Sequence, residues 1–295
     1  MFVNLRRFPK SVDAVREVVA AIRNRRVDEV GSVCEWPEDL VRAGDWSPVQ
    51  WYDPRLAEAA AQIRGAPGLC RLSELYDMGP AGQRIRDAFE PVKDGSSTGE
   101  DVGVFDSVSS ELRVSLASAP DAVWRPRAGK ESMVRSYLAR MGWLQLTNRA
   151  RVNNARLVAV CATAKSFGSG FMPVVTETEA QAKALCLVWN STPVLLQLLN
   201  TRTKMLMYLS WSVAQLGSVQ VPASLGDTDG QAAAAASYDR LCHARLQPLA
   251  HADADPVRRE IDDVVAEAYG ISSDVLADWR ERLAKEPTVT NQSPI

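Results

Sequence analysis

Three short apolar runs in the middle of the chain constrain its fold more than any other feature. Residues 156–162 contain Val158 and Val160, and residues 144–146 and 171–175 are similarly short and apolar. Runs of this length and composition are typical of strands. Stretches whose apolar residues recur with the helical period lie both before and after them. We therefore predict an α/β or α+β fold with a mixed central sheet, flanked by N- and C-terminal helices.

Several predicted helices begin at capping signals. Ser11 is an N-cap candidate for a helix over residues 9–26, and Asp53-Pro54 and Thr192-Pro193 each place a capping side chain before a proline. Further helices are predicted over residues 177–190, 232–246, 256–269 and 273–285, with an irregular, Trp-rich connector over residues 31–52. This pattern predicts a helical connector segment (1–70), an α/β domain (71–225), a C-terminal helical region (226–287) and a disordered tail (288–295).

A nearly neutral total charge conceals a concentrated basic segment. The formal net charge is -2, yet residues 123–165 contain nine basic residues and a single acid, Glu131. Acids dominate residues 90–121 and the C-terminal part. A basic segment can contact the phosphates of a nucleic acid, or it can be a solvated face that pairs with acids elsewhere in the fold. Charge alone leaves both interpretations open.

Composition predicts a cytoplasmic protein without a membrane span. No run of about eighteen apolar residues occurs, and the first residues carry charges where a signal peptide needs an apolar core. The five cysteines are dispersed without a Cys-x-x-Cys pair, which indicates reduced thiols. With only two histidines, a zinc site or a histidine-based triad has few residues to draw on.

The sequence lacks the motifs of three kinds of catalytic or cofactor site. Gly168 and Gly170 follow a predicted strand, but an extended segment comes next where a nucleotide-binding loop needs a helix, so residues 166–170 are interpreted as a hairpin-like turn. No Asn-Pro-Pro-Tyr run, which holds a flipped base in amino-methyltransferases, is found. Near Asp121 and Lys130, Ala128 stands where a metal-dependent nuclease needs its second acid. We predict no catalytic residues, no metal ligands and no cofactor in this chain.

Two segments resemble a known family. Residues 183–193, which end in Trp189-Asn190-Ser191-Thr192-Pro193, and residues 212–222, which end in Val221-Pro222, are similar to the C-terminal target-recognition region of N6-adenine DNA methyltransferases of restriction–modification or phage-defence type. The resemblance extends over nearly the whole chain. It implies that residues 71–225 form a domain like a DNA target-recognition domain. It also implies sequence-specific binding of double-stranded DNA, with the methylase domain and its S-adenosylmethionine on a separate catalytic subunit.

Candidate DNA-contacting residues follow from the chemistry of their side chains. Basic side chains suit phosphates, and the candidates are Arg127, Lys130, Arg135, Arg149, Arg151 and Lys165. Amide and guanidinium groups suit base edges, and the candidates are Asn148, Asn153, Asn154 and Arg156. The competing interpretation is a non-catalytic interaction protein of a defence complex that does not bind DNA. The two differ in whether the basic residues of 123–165 converge on one concave face.

Overall fold

The computed structural model of the chain describes residues 2–5, 9–34, 42, 51–92, 99–106, 113–201 and 208–290. Most of the predicted connector at 31–52 and the last five residues of the predicted tail lie outside the described residues. The strands are β1 (Phe2–Leu5), β2 (Gly31–Cys34), β3 (Leu69–Arg71), β4 (Asp77–Met78), β5 (Phe89–Pro91), β6 (Val102–Phe105), β7 (Ala117–Ser118), β8 (Ala122–Pro126), β9 (Gly142–Thr147), β10 (Arg149–Arg151), β11 (Ala159–Gly168), β12 (Phe171–Val175), β13 (Tyr208–Ser210) and β14 (Gln220–Pro222). The α-helices are α1 (Val12–Arg23), α2 (Pro54–Arg64), α3 (Leu72–Leu75), α4 (Gln83–Ala88), α5 (Glu131–Leu138), α6 (Glu179–Trp189), α7 (Thr192–Asn200), α8 (Val213–Gly217), α9 (Thr228–Leu241), α10 (Pro256–Tyr269), α11 (Ser273–Lys285) and α12 (Pro287–Thr290).

A curled mixed sheet forms the centre of the fold, which confirms the predicted fold class. The strand order is β4-β12-β9-β11-β6-β8-β5, and β7 pairs with β11 beside this path. Strand β9 is antiparallel to both of its neighbours, whereas β11 runs parallel to β6 and β7. Three two-stranded pairs, β1–β2, β3–β14 and β10–β13, lie outside this sheet.

The predicted hairpin at residues 166–170 is wrong in its pairing. The connection is tight, since β11 ends at Gly168 and β12 begins at Phe171. The two strands nevertheless do not pair with each other, because both pair with β9, which lies between them. A local glycine-rich signal predicts the turn but carries no information about the third strand.

A bulge in β11 moves Lys165 outward. Five steps along β11, from Cys161 to Ser166, lie opposite only two steps along β9. The Gln145 amide Nε2 donates to the carbonyl oxygens of Gly142 and Ser166, both at 2.9 Å, and so closes the bulge from the buried side. Residues 163–165 between them are exposed.

The helices confirm most of the local predictions. The Ser11 hydroxyl accepts from the backbone N–H of Ala14 at 3.1 Å, at the start of α1. The Asp53 carboxylate accepts from the N–H of Arg55 at 3.0 Å, at the start of α2. Helices α10 and α11 have the predicted bounds. The predicted apolar face of α1 is less covered than expected, since Val12 is 69% exposed.

The chain after α11 departs from the predicted tail. Residues 287–290 form α12, and Val289 is fully buried. The buried Glu286 carboxylate accepts from the N–H groups of Tyr52 at 3.0 Å and Asp53 at 3.2 Å. Arg282 adds an ion pair to Asp53 at 2.9 Å. These bonds tie the end of the chain to the start of α2, which gives α12 a fixed place.

The main hydrophobic cluster joins the sheet to the helices. It includes residues from Trp51 to Val289 and so contains members from both sides of the predicted boundaries at 70 and 225. A smaller cluster, centred on Phe89, Trp124 and Phe167, lies under β5, β6 and β8. No single helix of the described ranges is long and apolar enough to cross a membrane. Helices α6 and α7 reach that length only together, and they are bent by 67° at their junction.

The junction between α6 and α7 is a buried polar network. The Asn190 side chain is fully buried, and its Oδ1 accepts from the N–H groups of Val158 at 2.9 Å and Ala159 at 3.3 Å. Its Nδ2 donates to the carbonyl oxygens of Ala159 and Cys186, both at 2.9 Å. The amide therefore fixes the end of α6 against the first residues of β11.

The same junction holds the C-terminal helices. Asp262 of α10 accepts from the N–H and the hydroxyl of Thr192, both at 2.7 Å, and pairs with Arg280 of α11 at 2.6 Å. Burial raises the pKa of the Asp262 carboxyl, although the bonds from Thr192 and Arg280 oppose that effect. Arg258 donates to the carbonyl oxygens of Asn190 at 2.9 Å and Arg156 at 2.6 Å. Both C-terminal helices are therefore bonded to one turn of chain.

Replacing Asp262 by alanine should lower the free energy of unfolding by about 3–5 kcal/mol, since Arg280 would stay buried without its counter-charge. Urea denaturation followed by circular dichroism measures this. The matched control is Asp263→Ala, because Asp263 is exposed on the same helix and such surface changes are worth within about 0.5 kcal/mol. Equal losses in the two variants would contradict the importance of the pair.

Candidate nucleic-acid interface

Strands β10 and β13 form a short antiparallel ribbon beside the main sheet. Arg149 lies opposite Ser210, Ala150 opposite Leu209, and Arg151 opposite Tyr208. Side chains alternate between the faces of a strand, and paired residues share a face. Ala150 and Leu209 are accordingly buried, whereas Arg149, Arg151 and Ser210 are exposed. The ribbon therefore has an apolar inner face and a basic outer face.

The ribbon is fixed to the core at its base. The Asn148 N–H donates to the Gly170 carbonyl at 3.1 Å, and the Asn148 carbonyl accepts from the Trp211 N–H at 2.9 Å. The Trp211 indole Nε1 donates to the Leu198 carbonyl of α7 at 3.1 Å. The hydroxyl of Thr147, the last residue of β9, donates to the Arg149 carbonyl at 2.6 Å. These bonds set the ribbon in place as a continuation of the β9 strand.

An apolar cavity of about 10 Å³ lies beneath the inner face of the ribbon, with Ala150, Leu209 and Trp211 in its lining. A cavity must exceed roughly 10–15 Å³ and offer polar partners before it holds a water molecule. The space under the ribbon is therefore a small packing defect that is too small to hold a ligand. A ligand can contact the ribbon only at its outer face.

The four predicted base-reading residues have different surroundings. The Oδ1 atoms of Asn148 and Asn153 are buried without a hydrogen-bond partner. Arg156 donates from Nη1 to the Leu246 carbonyl at 2.8 Å, so its guanidinium holds two segments of the chain together. Asn154 is exposed in the turn after β10. Of the four, Asn154 is the most accessible to a base edge.

The remaining predicted phosphate contacts lie on or before α5 and in the bulge of β11. Lys130 directly precedes this helix and Arg135 lies on it, and both are exposed. Lys165 lies over the Trp143 ring, 4.5 Å from its centroid. Glu131 is the one acid here, and hydrogen bonds from backbone N–H groups, including that of Gly129, lower the pKa of its carboxyl. An ionised carboxylate therefore reduces the positive charge next to Lys130.

Arg127 has a structural role. Its Nε donates to the carbonyl oxygens of Arg86 at 2.9 Å and Phe89 at 3.2 Å, and its guanidinium pairs with Glu90 at 3.2 Å. Arg125, in the same basic segment, pairs with Asp101 at 3.1 Å. Acids of the preceding stretch therefore neutralise the first part of the segment.

Lys165 is separated along β9 from the arginines of the ribbon. Lys165 lies beside Ser166, which is opposite Gly142 at the start of β9, and Arg149 follows Thr147 at its end. Five residue steps along a strand span roughly 17 Å. The structure therefore brings Arg149 and Arg151 together on the ribbon and separates them from Lys165.

Two features of the site escaped sequence reasoning. Strand β13 was not predicted, although the alternation of Leu209 and Trp211 with Ser210 and Ser212 is a strand signal. Trp143 is only partly buried and lies under Lys165, a contact that residue type does not indicate. Neither role is visible without the pairing of β10 and the bulge of β11.

Within the described part of the chain, no group of three or more His, Cys, Asp or Glu side chains could hold a metal ion. The free thiols of Cys161, Cys186 and Cys242 are buried, and burial raises the pKa of Cys161 to about 11. Such thiols are poor nucleophiles at neutral pH. The predicted absence of catalytic residues stays a prediction.

Comparison with solved structures shows a likeness of fold. No family model matches the chain, and no curated protein matches it. A solved structure, that of the type IIG restriction endonuclease BpuSI, is similar with a TM-score of 0.52 and 11% sequence identity. The match covers 81% of this chain and 33% of BpuSI, so the chain spans about a third of the length of that enzyme. At this identity the likeness shows a shared fold, and the fold is one found in a restriction–modification enzyme.

Replacing Arg127 by alanine should lower the free energy of unfolding by about 1–2 kcal/mol, since the carbonyl oxygens of Arg86 and Phe89 lose a charged donor. Urea titration measures the change. Lys130→Ala is the matched control, because Lys130 is a nearby exposed cation, and its effect should stay within about 0.5 kcal/mol. Indistinguishable midpoints and slopes for the two variants would show that Arg127 is not structural.

Proposed function

We propose that this chain recognises a DNA target for an adenine-N6 DNA methyltransferase of a restriction–modification or phage-defence system. The methylase domain and its S-adenosylmethionine are supplied by a separate catalytic chain. The observation that carries the proposal is the outer face of the β10–β13 ribbon, where Arg149 and Arg151 lie exposed on a rigid support. Within the described ranges no acid pairs with Arg149.

Two further observations support the proposal. The chain shares its fold with part of BpuSI, which is a restriction endonuclease and hence acts on DNA. Lys130, Arg135 and Lys165 are further exposed basic side chains, and Lys165 lies about a strand length from the ribbon. Phosphate contacts fix the orientation of a duplex, and base-edge contacts supply sequence choice.

A second candidate is the interaction protein that binds no DNA. The ion pairs of Arg125 with Asp101 and of Arg127 with Glu90 favour it, since they neutralise part of the basic segment within the fold. The exposed Val12 of α1 is also compatible with protein contacts. Direct measurement of duplex binding separates the two candidates.

Duplex binding should weaken steeply with salt, because each phosphate contact contributes about 0.9 to the slope of log K against log salt concentration. Reversing both ribbon charges (Arg149→Glu with Arg151→Glu) should weaken binding further, since two acidic side chains would then face the DNA. Fluorescence anisotropy with a labelled duplex at several salt concentrations measures both quantities. The matched control is Arg259→Glu, since Arg259 is an exposed arginine on α10 that does not belong to the basic segment 123–165. Binding that is indifferent to salt and to the ribbon charges would favour the interaction protein.

Adenine methylation should require two chains. We expect this chain to direct a methyltransferase that has an Asn-Pro-Pro-Tyr motif and no recognition region of its own. A neighbouring gene is the expected source of that methyltransferase. Transfer of tritiated methyl groups from S-adenosylmethionine to a mixed-sequence duplex is the measurement. Incorporation should be high only with both chains and should fall with the double ribbon variant. Full incorporation by the methyltransferase alone would exclude the role in recognition.

A further inference from the structure

The ribbon has the dimensions of an element that reads the major groove. Its two strands lie about 4.8 Å apart, and the major groove of B-DNA, about 12 Å wide, admits a two-stranded ribbon. Proteins that use such ribbons present the side chains of one face to the base edges. Here the available face is the outer one, because Ala150 and Leu209 occupy the inner face.

The side chains of the outer face have the chemistry of guanine recognition. Arginine donates two hydrogen bonds to O6 and N7 of guanine, which is the commonest specific base contact, and serine can bond to several base edges. Arg149 is exposed on β10, and Ser210, which is also exposed, lies opposite it.

The support behind these side chains is rigid. Trp211 bonds to the Asn148 carbonyl and to the Leu198 carbonyl, one on each side of the ribbon base. A recognition side chain needs a backbone held to within about 0.5 Å. The base-reading role first expected for Asn148 and Arg156 fits less well, since one has a buried Oδ1 and the other holds the Leu246 carbonyl.

We infer that Arg149, with Ser210 beside it, reads a guanine edge in the major groove, while Lys130, Arg135 and Lys165 hold phosphates. The inference rests on the proposed function and assigns to Arg149 a role different from the phosphate contact that residue type alone suggested. It predicts that the preferred target contains a guanine.

In the first step of the experiment, the wild-type chain is used to select the duplexes that it binds from a pool in which the central base pairs are randomised. Affinity is then measured for the selected duplex and for a scrambled one, each at several salt concentrations. Arg149→Ala should reduce the preference for the selected duplex by roughly 5- to 150-fold, relax the selection at one position, and leave the salt slope for the scrambled duplex unchanged. Arg149→Lys should also lose preference, because a lysine keeps the charge without the two-pronged donor.

Lys130→Ala is the matched control for a phosphate contact. It should weaken binding to both duplexes equally and lower the salt slope by about 0.9. Substituting 7-deazaguanine for one selected guanine removes the N7 acceptor from the major groove. The wild-type chain should lose affinity for that duplex, and Arg149→Ala should be insensitive to the change. Inosine at the same position removes only the minor-groove amino group and should have no effect.

Other outcomes would contradict either the inference alone or the proposed function as well. If Arg149→Ala behaves as Lys130→Ala does, or if the selected sequences lack guanine, Arg149 is not a base reader and only the inference fails. If the wild-type chain binds no duplex, or binds all duplexes equally, the proposed function fails and the inference with it. Thermal melting of each variant confirms that the exposed substitutions leave the fold intact.

Discussion

The fully satisfied amide of Asn190 is the constraint on which the rest of the structure depends. A buried polar side chain costs several kcal/mol unless each of its hydrogen-bonding positions is used. Asn190 meets this condition by bonding to the end of α6 and to both backbone groups of Ala159. Its position therefore fixes the angle between helix and sheet. Thr192, two residues further on, continues the network into the Asp262–Arg280 pair. One turn of chain therefore orients both the central sheet and the C-terminal helices.

The α6–α7 junction fixes the geometry of the candidate interface. Helix α7 starts at Thr192, and its last turn accepts from the Trp211 indole and, through the Asn200 side chain, from the Trp51 indole at 2.8 Å. The ribbon is bonded to Trp211 in turn. A displacement of α7 would therefore move Arg149 and Arg151 relative to Lys165, whose position depends on the bulge closed by Gln145. Residues 184–193 are buried, so this segment acts on the candidate interface by positioning its parts.

Local signals explain what could be predicted from the sequence. The bounds of α10 were predicted correctly because Asp255 caps the helix just before Pro256 and Gly270 ends it in the left-handed conformation. Both signals are adjacent to the helix in the sequence. The pairing of β10 with β13 was not predictable in this way, because 56 residues separate the end of β10 from the start of β13 and no local pattern specifies that contact. The same holds for Arg127, whose residue type suits a phosphate but whose neighbours turn out to be two carbonyl oxygens and Glu90.

The division of the basic residues bears on how a duplex would be held. Lys165 and Arg149, roughly 17 Å apart as judged from the length of β9, span about five base pairs at 3.4 Å each. Acids neutralise Arg125 and Arg127 in the first part of the basic segment, so few phosphate contacts remain to provide non-specific affinity. A protein with few such contacts discriminates well only if its base contacts are strong, because specificity is the difference between the two modes of binding. That requirement falls on the ribbon, whose rigid base and exposed arginines are suited to it.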